Sequence, residues 1–339
     1  MRKMILYAVG LTLFAMLLSV TAGAFAARTD ADTSPAPSEQ PAASPSVTPP
    51  LGLLDSATTL RFLDRDGTIR DITMAEYLVG VVAAECPAGF ETNALSAQAV
   101  AARTYTLRQM RIEPRTEHPD ADVCGDFTHC QAFVSESDMR ANWGARYDEY
   151  LAKIRAAVAA TDGVYLTYAS QPILAVFHSS SNGWTEDAAA VWGGAFPYLV
   201  SVPTPDADED IPNFTTTVSV TLDDFKAAIL SRHADADLTG ASETWVGAST
   251  FDASGRVASV MIGGVAMSGL ELRELFELRS TSLTVEVGDD VTITAAGYGH
   301  GVGMSQYGAN ALAKHGFTWR EILETYYTGA GFSDEVQSA

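Results

Sequence analysis

The hydrophobic period changes along this chain near Gly163, and the change limits the folds that the chain can adopt. Before Gly163, apolar residues recur at steps of three and four, beginning with Met74 and Leu78, which is typical of amphipathic helices. After it come short runs of β-branched and aromatic residues between turn residues, such as 173–177 and 198–202, which predict strands. Helices followed by mixed and antiparallel strands predict an α+β fold.

We expect one compact domain over residues 55–333, because no second linker and no fixed-period repeat interrupts its globular composition. A capping-box spacing opens a first helix at Thr73, and further helices are predicted over 93–110 and 144–160. An alternating pattern over 245–264, with a central Asp-Ala-Ser-Gly turn, predicts a β-hairpin.

Two segments precede the domain. Residues 1–27 carry two positive charges and then an apolar run long enough to cross a bilayer, which predicts a membrane anchor with the domain on the extracytoplasmic side. Ala24-Phe25-Ala26 resembles a signal-peptidase site, so cleavage remains an alternative. Residues 28–54 are rich in Pro, Ala, Ser and Thr and poor in large apolar residues, which predicts a flexible tether.

The composition excludes one class of partner and raises one question. The formal net charge of -21 repels nucleic-acid phosphates, and no cluster of Lys or Arg offsets it, so we expect no nucleic-acid partner. Three cysteines are too few for a disulfide-stabilised scaffold in an exported chain, and any pairing leaves one thiol over. The cysteines therefore belong either to a metal site or to a single disulfide.

Glu85 is the candidate catalytic residue of the first helix. Steps of three and four from Leu78 and Val81 place it on the apolar face, and Pro87 stops the helix just beyond it. A carboxylate in such surroundings loses hydration, which raises its pKa, as a general acid near neutral pH requires. The alternative is a helix-end glutamate that pairs with Arg103 or faces water.

His118, Cys124 and Cys130 recur at intervals of six residues. Two thiolates and an imidazole are typical zinc ligands, and water or His129 would complete a tetrahedron. The alternative is a disulfide between Cys124 and Cys130, which an oxidising compartment favours. The residues alone leave both alternatives open.

A predicted strand ends in His178 and leads into a loop rich in Ser and Asn, with Trp184 and Trp192 nearby. Aromatic rings beside hydroxyls and amides suit sugar rings, which stack on an apolar face and offer hydroxyls at their edge. The alternative is an ordinary polar turn next to core tryptophans.

The stretch 297–316 joins a Gly-rich segment to the start of a helix. Its glycines allow the backbone to approach a ligand or another strand closely, and Ser305 is placed to cap the helix. Tyr298, His300 and Gln306 could then direct polar groups into one pocket. A Gly-rich turn before a helix is also a common structural element.

Taken together, these segments resemble the stage II sporulation protein D family of extracytoplasmic peptidoglycan lytic transglycosylases. The blocks that carry the resemblance follow in family order: EYLVGVVAAECPAGFETNALSAQAVAARTYTL, AVFHSSSNGWTEDAAAVWG, PYLVSV, LRSTSLTVEV and GYGHGVGMSQYGANALAKHGFTWREILETYYTG. They span nearly the whole predicted domain.

The resemblance implies that Glu85 is the catalytic acid, although Cys86 stands where the family commonly has methionine. In this family one carboxyl protonates the glycosidic oxygen between N-acetylmuramic acid and N-acetylglucosamine and then accepts the proton of the C6 hydroxyl. The products carry 1,6-anhydro ends. Cys86 keeps a soft apolar side chain, so we expect catalysis to be retained.

The resemblance also implies a zinc ion held by His118, Cys124 and Cys130. With Glu85 as the acid no metal-activated water is required, which favours a structural role over one that touches substrate. Arg103 is expected to pair with Glu85 or to bind sugar. The other residues expected to line the glycan groove are His178, Ser179, Ser180, Tyr298, His300, Ser305, Gln306 and Tyr307.

The family acts on glycan strands without stem peptides at the sporulation septum, where the mother-cell membrane engulfs the spore. The partners implied are a peptide-removing wall hydrolase like stage II sporulation protein P and a membrane scaffold like stage II sporulation protein M. Related domains also occur in enhancers of cell-wall amidases, which gives a second reading of the chain as a glycan-binding module without catalysis.

Overall fold

The computed structural model describes residues 54–206 and 210–334. The predicted anchor lies outside these residues, as does all of the predicted tether before Leu54. Among the residues described, none of the helices combines the length and the apolar character that a membrane crossing requires.

Helices dominate the first half of the chain and its C-terminal end, with strands between them. The helices are α1 (Met74–Glu85), α2 (Thr92–Arg111), α3 (Glu136–Trp143), α4 (Tyr147–Ala159), α5 (Ala188–Trp192), α6 (Leu222–Arg232), α7 (Gly269–Leu275), α8 (Gln306–Lys314) and α9 (Trp319–Tyr326).

The strands are short and belong to several small sheets. They are β1 (Thr59–Leu63), β2 (Ile69–Thr73), β3 (Val123–Cys124), β4 (Leu166–Tyr168), β5 (Gln171–Pro172), β6 (Phe177–His178), β7 (Thr215–Thr221), β8 (Val246–Phe251), β9 (Val257–Ile262), β10 (Val265–Met267), β11 (Leu283–Val287), β12 (Asp290–Ala296), β13 (Met304–Ser305) and β14 (Gly331–Phe332). The sheet orders are β2-β1-β3, β10-β9-β8, β11-β12-β7, β13-β6 and β14-β4-β5. The predicted α+β class is confirmed.

The helical lobe has its core around α2, which contacts α1, α4, α8 and α9. Most residues of α2 are buried, and most of those facing its neighbours are small, so the surrounding helices can approach its backbone closely. The capping box predicted at Thr73 is present and opens α1.

The β-rich lobe, residues 215–296, has a second core. Antiparallel strands β7, β12 and β11 pack with α6 and α7, and the buried centre includes Phe225, Leu272 and Ile293. The predicted hairpin is formed by β8 and β9, where the Gly255 amide donates to the Asp252 carbonyl across the turn. The chain returns to the helical lobe at Gly297.

The strand predicted at 198–202 is not formed, and of the strand predicted at 173–177 only Phe177 lies in one, as the first residue of β6. The backbone groups of 198–202 bond instead to the Ser/Asn loop: Val202 accepts from the Thr185 amide at 2.8 Å, and Leu199 accepts from the Ala188 amide at 3.0 Å. The backbone carbonyls of this run are therefore hydrogen-bonded to a loop and not to a neighbouring strand. Local strand propensity does not predict such tertiary partners.

The expected role of Arg103 is wrong. Its side chain is 1% exposed and forms a bidentate ion pair with Asp55, at 2.7 Å from Nε to Oδ1 and 2.5 Å from a terminal nitrogen to Oδ2. It also donates to the Val164 carbonyl at 2.9 Å. Arg103 thus holds the start of the domain against α2 and neither pairs with Glu85 nor faces a groove.

We expect Arg103→Gln to lower the free energy of unfolding by about 3–5 kcal/mol, because it leaves the Asp55 carboxylate buried without its partner. The double variant Arg103→Gln/Asp55→Asn should recover part of this loss, since no uncompensated charge remains. Urea denaturation at pH 7 measures both.

The matched control is Arg140→Gln, whose guanidinium lies 3.9 Å from Glu136 on the surface. It should change the free energy of unfolding by less than about 1 kcal/mol. An equally small loss for Arg103→Gln would contradict a role for the pair in stability.

Candidate functional site

Glu85 is the last residue of α1 and lies at the edge of the helical lobe. Its side chain is partly buried, and Oε1 accepts a hydrogen bond from the Ala132 amide at 2.8 Å. Cys86 directly after it is buried and ends the helix in extended backbone, before Pro87. The carboxyl is therefore held by a backbone donor, on a residue that is neither fully buried nor fully exposed.

Burial raises the pKa of Glu85 to about 7, against an ordinary value of 4.5. Hydrogen bonds from the Ala132 amide and from the Gln306 side chain favour the carboxylate and oppose this rise. Desolvation outweighs both bonds, and the group divides between its acid and base forms near neutral pH. The pKa rise predicted from the position of Glu85 on the apolar face is confirmed.

Gln306, the first residue of α8, connects Glu85 to the centre of the helical lobe. Besides its contact with Glu85, its Nε2 lies 3.4 Å from Oε1 of Gln98 on α2. Gln98 is fully buried, so its amide is a fixed acceptor behind Gln306. The two amides orient the polar surroundings of Glu85.

An aromatic contact lies beside this polar group. The rings of Phe90 and Tyr307 meet edge to face with their centroids 5.0 Å apart. In the chain, Phe90 comes shortly after Glu85 and Tyr307 directly after Gln306. The Tyr307 amide donates to the Ser179 carbonyl at 3.0 Å, which brings the Ser/Asn loop to the same place. Ser179, Gln306 and Tyr307 are therefore brought together near Glu85.

The junction between the Gly-rich turn and α8 is built by backbone contact. Strand β13 pairs in parallel with β6, and Gly303 has φ of +72°, where a side chain would also strike the Val176 carbonyl. Ser305 caps α8 as predicted, accepting from the Gly308 amide at 3.1 Å. Its hydroxyl also donates to Asp206 at 2.7 Å.

The two histidines expected in the groove are held in place by hydrogen bonds. His178 is 4% exposed, with Nδ1 3.2 Å from the Val302 carbonyl and Nε2 3.0 Å from the Ser181 hydroxyl. Burial lowers the pKa of His178 well below its ordinary range. His300 accepts from the Val302 amide, and burial lowers its pKa to about 3. Both imidazoles are therefore neutral at physiological pH.

The remaining groove residues differ in exposure. Ser180 and Ser305 are buried, whereas Tyr298 is partly exposed and pairs with Ser180 through an antiparallel bridge. Trp192 lies 5.2 Å from His300 between ring centroids. The Gly-rich turn thus extends the polar and aromatic surface that begins at Tyr307.

A second cluster combines His118, Cys124, His129 and Cys130. Their candidate ligand atoms all lie within 4.8 Å of one another, so the group could hold a metal ion. Cys124 and Cys130 are free thiols, and the disulfide alternative is not formed. Hydrogen bonding by Cys130 lowers the pKa of Cys124 to about 6.

The loop that carries this cluster also supplies the amide that binds Glu85, because Ala132 follows Cys130 by two residues. Side chains fasten the loop to α2: Gln109 donates to the His129 carbonyl at 3.1 Å, and Gln131 donates to the Thr106 hydroxyl at 3.0 Å. Whatever holds the cluster therefore also positions the donor to Glu85.

Sequence reasoning missed Gln98, Asp206 and the Ala132 amide. Gln98 had a signal, since it is a polar residue in an otherwise small-residue helix face. Asp206 had none, because it meets Ser305 across 99 residues of chain. A backbone donor such as Ala132 leaves no side-chain signature at all.

Comparison with known proteins identifies the class of this chain. A family model described as stage II sporulation protein matches residues 64–168, which contain α1, α2 and the His/Cys cluster. Stage II sporulation protein D of Bacillus subtilis is 41% identical over 269 residues, which are 79% of this chain and 76% of the relative. That of Bacillus amyloliquefaciens is 38% identical over the same shares.

The chain belongs to the stage II sporulation protein D family. A more distant relative is the amidase enhancer of Bacillus subtilis, which is 28% identical over 302 residues. That match covers 74% of this chain but only 39% of the relative.

We expect Glu85→Gln to raise the free energy of unfolding at pH 8 by about 1–3 kcal/mol, because the amide avoids the burial penalty of a carboxylate. The folded pKa of Glu85, about 7, lies above the ordinary 4.5. Its favourable contribution is thus present below pH 4.5 and is lost as pH rises through 7. The difference between the two proteins should grow over this window.

Urea denaturation at several pH values between 4 and 8 measures the difference. Glu324→Gln on the exposed side of α9 is the matched control and should show no such trend. A difference that stays constant with pH would contradict the raised pKa.

Proposed function

We propose that this protein is a lytic transglycosylase that cleaves between N-acetylmuramic acid and N-acetylglucosamine in stem-peptide-free peptidoglycan. The observation that carries the proposal is the desolvated carboxyl of Glu85, held by the Ala132 amide, whose pKa of about 7 lets it give and take a proton near neutral pH. Membership of the stage II sporulation protein D family supports a role in the cell wall during sporulation.

One carboxyl is sufficient for this reaction. Glu85 donates its proton to the glycosidic oxygen as the bond from that oxygen to the anomeric carbon breaks. The C6 hydroxyl oxygen of the same muramic acid then bonds to the anomeric carbon, and its proton passes to the Glu85 carboxylate. No water is consumed, and the acid is restored for the next turnover.

The surroundings of Glu85 support a sugar polymer as the substrate. Gln306 offers an amide, and Phe90 and Tyr307 present aromatic surface beside it. Ser179, Tyr298 and His300 extend the groove along the Gly-rich turn, with Trp192 next to His300. Alternating hydrogen-bonding and aromatic groups suit pyranose rings.

The donor chemistry of the His/Cys cluster fits zinc. Tetrahedral zinc bonds of about 2.3 Å to sulfur and 2.0 Å to nitrogen set neighbouring sulfur and nitrogen ligands about 3.6 Å apart. Nε2 of His118 lies 3.1 Å from the Cys130 sulfur, and Nδ1 of His129 lies 3.6 Å from that of Cys124. His118 Nδ1 meets the Ala121 carbonyl at 3.1 Å, which leaves Nε2 for the metal.

His118, Cys124, His129 and Cys130 would hold this zinc with all four positions filled by protein, as in structural sites. Zinc would cross-link the loop of residues 118–132. Because Glu85 provides the acid, the proposed reaction needs no metal-activated water.

The cellular setting follows from the same proposal. Residues 1–27 would anchor the protein in the membrane at the sporulation septum, with the domain extracytoplasmic. A wall hydrolase like stage II sporulation protein P would prepare the substrate by removing stem peptides. A scaffold like stage II sporulation protein M would hold the complex in the membrane.

A second candidate is a glycan-binding enhancer of a cell-wall amidase. The observation in its favour is the similarity to the amidase enhancer of Bacillus subtilis over 74% of this chain. Under this function Glu85 would be a binding residue, and the chain alone would not cleave glycan.

We expect the full chain to release anhydro-ended products from peptide-free glycan strands. Glu85→Gln should lower the rate about 100- to 10,000-fold, because it removes the proton donor and acceptor. Mass spectrometry of the products measures both, and Glu324→Gln should cleave as the wild type does.

Cleavage should also decline as pH rises above about 7, where Glu85 loses its proton. Products with reducing ends in place of anhydro ends would contradict the transglycosylase reaction. If the wild type releases nothing yet stimulates an added amidase, the enhancer function replaces the proposal.

We expect one zinc per chain by elemental analysis, lost in Cys124→Ser. Removing the metal should lower the melting temperature by roughly 10 °C and abolish cleavage together, since structural zinc contributes folding free energy. Cys86→Ser, outside the cluster, is the control that should keep its zinc. Loss of cleavage by chelation with unchanged melting would instead indicate a catalytic metal.

A further inference from the structure

Arg256, the residue before β9, reaches from the β-rich lobe into the loop that follows β6. Its side chain is 1% exposed and lies 3.6 Å from the Glu186 carboxylate. The guanidinium also donates to the Trp184 carbonyl at 3.0 Å and to the Ser181 hydroxyl at 2.9 Å. One buried cation of the β-rich lobe therefore holds residues 181–186, which lie next to the groove residues of the same loop.

The ion pair of Arg256 and Glu186 also supports the Gly-rich turn. The Glu186 amide donates to the Gly301 carbonyl at 2.7 Å. A Cβ atom at Gly301 would lie 2.9 Å from the guanidinium carbon of Arg256 and 3.1 Å from the Cβ of Glu186, and Gly301 has φ of +82°. Gly301 is thus enclosed between the two charged residues, in a backbone conformation that favours glycine.

The hydrogen bonds around Ser181 are satisfied by one arrangement of protons. Nδ1 of His178 faces the Val302 carbonyl, which only accepts, so Nδ1 carries the proton of the neutral imidazole. Nε2 is then an acceptor, and it lies 3.0 Å from the Ser181 hydroxyl. The single proton of that hydroxyl must go to Nε2, although the Trp184 carbonyl lies within reach at 2.8 Å.

Arg256 makes this arrangement possible. Because the guanidinium donates to the Trp184 carbonyl, that carbonyl does not need the proton of Ser181. The hydroxyl is then free to donate to His178. Without the guanidinium, the carbonyl would compete for the same proton, and Nε2 of His178 would be left buried without a donor.

His178 in turn orients the Gly-rich turn through Val302. Its Nδ1–H donates to the Val302 carbonyl at 3.2 Å, and the Val302 amide donates to Nδ1 of His300 at 3.0 Å. The His300 ring lies 5.2 Å from that of Trp192 between centroids, on the polar and aromatic surface that begins at Tyr307. A chain of hydrogen bonds therefore connects Arg256 to the groove surface.

We infer that Arg256 is a positioning residue for the glycan groove and that it fixes His178 as the tautomer with its proton on Nδ1. Arg256 is buried and acts through Ser181, His178 and Gly301. The glycan part of this inference rests on the proposed function, whereas the tautomer does not depend on it. The β-rich lobe thereby gains a role, because it holds in one shape a groove that other segments form.

The first experiment measures the tautomer of His178 in the full chain at pH 7. It uses long-range proton–nitrogen NMR spectra of histidine-labelled protein, with His178→Gln to assign the signal. Arg256→Lys keeps a positive charge beside Glu186, but one ammonium group lacks the fork geometry that holds a carbonyl and a hydroxyl together. We expect His178 to show a protonated Nδ1 and an unprotonated Nε2 in the wild type, and to lose this single tautomer in Arg256→Lys.

Ser181→Ala removes the donor to His178 without changing Arg256. It should alter the His178 signal in the same way. Adding Arg256→Lys to Ser181→Ala should change the signal little further, because both substitutions act on the same hydrogen bond. A further change as large as that in the wild-type background would contradict the link through Ser181.

The second experiment measures binding of a peptide-free glycan oligomer to the full chain with Glu85→Gln, by isothermal titration calorimetry. Adding Arg256→Lys should weaken binding about tenfold, because the groove surface is no longer held in one shape before binding. Arg256→Gln/Glu186→Gln removes both buried charges together, which guards against misfolding, and should weaken binding likewise. Arg232→Gln, whose guanidinium lies 3.7 Å from Glu274 on the surface of the same lobe, should change neither measurement.

A proton on Nε2 of His178 in the wild type would overturn the inference. So would an Arg256→Lys protein that keeps the single tautomer, or one that loses it and still binds glycan as tightly as the parent protein.

These outcomes are separate from those of the cleavage test. A protein that responds to Arg256→Lys in both measurements but releases no anhydro products keeps the positioning role and loses the transglycosylase function. A protein that cleaves glycan while Arg256→Lys changes neither measurement keeps the function and loses the positioning role.

Discussion

The burial of α2 on almost all of its faces is the constraint on which the structure depends. Small residues allow the neighbouring helices to close on it, and its buried polar side chains must then find partners inside the protein. Several of these partners belong to the candidate site or to the loop of the His/Cys cluster. Gln98 meets Gln306 beside Glu85, Gln109 and Thr106 hold the His/Cys loop, and Thr104 accepts from the Leu166 amide of β4.

Glu85 lies where the end of α1 meets the loop that carries the His/Cys cluster. Its carboxyl is desolvated by burial at the end of α1, while the loop that carries the His/Cys cluster offers it one amide proton. Stronger hydrogen bonding would fix the carboxylate, and deeper burial would fix the acid. A pKa near 7 results because neither effect is complete.

Sequence patterns were sufficient where a local rule decides the outcome. The Thr73 capping box, the Ser305 cap, the β8–β9 hairpin and the position of Glu85 each depend on residues a few places apart. Patterns failed where distant segments compete. The run at 198–202 found its partners in another loop, and Arg103 found Asp55 across 48 residues. The family resemblance identified the groove blocks but did not show that His178 and Ser180 are buried.

The attachment of Asp55 has a mechanical consequence. The Asp55 amide donates to the Asp162 carboxylate at 2.6 Å, and its own carboxylate grips Arg103 in the middle of α2. A force applied at Asp55 would therefore act on the middle of α2 before it acted on the pairing of β1 within its sheet. A load applied at Asp55 would therefore meet an ion pair that none of the groups bonded to Glu85 shares.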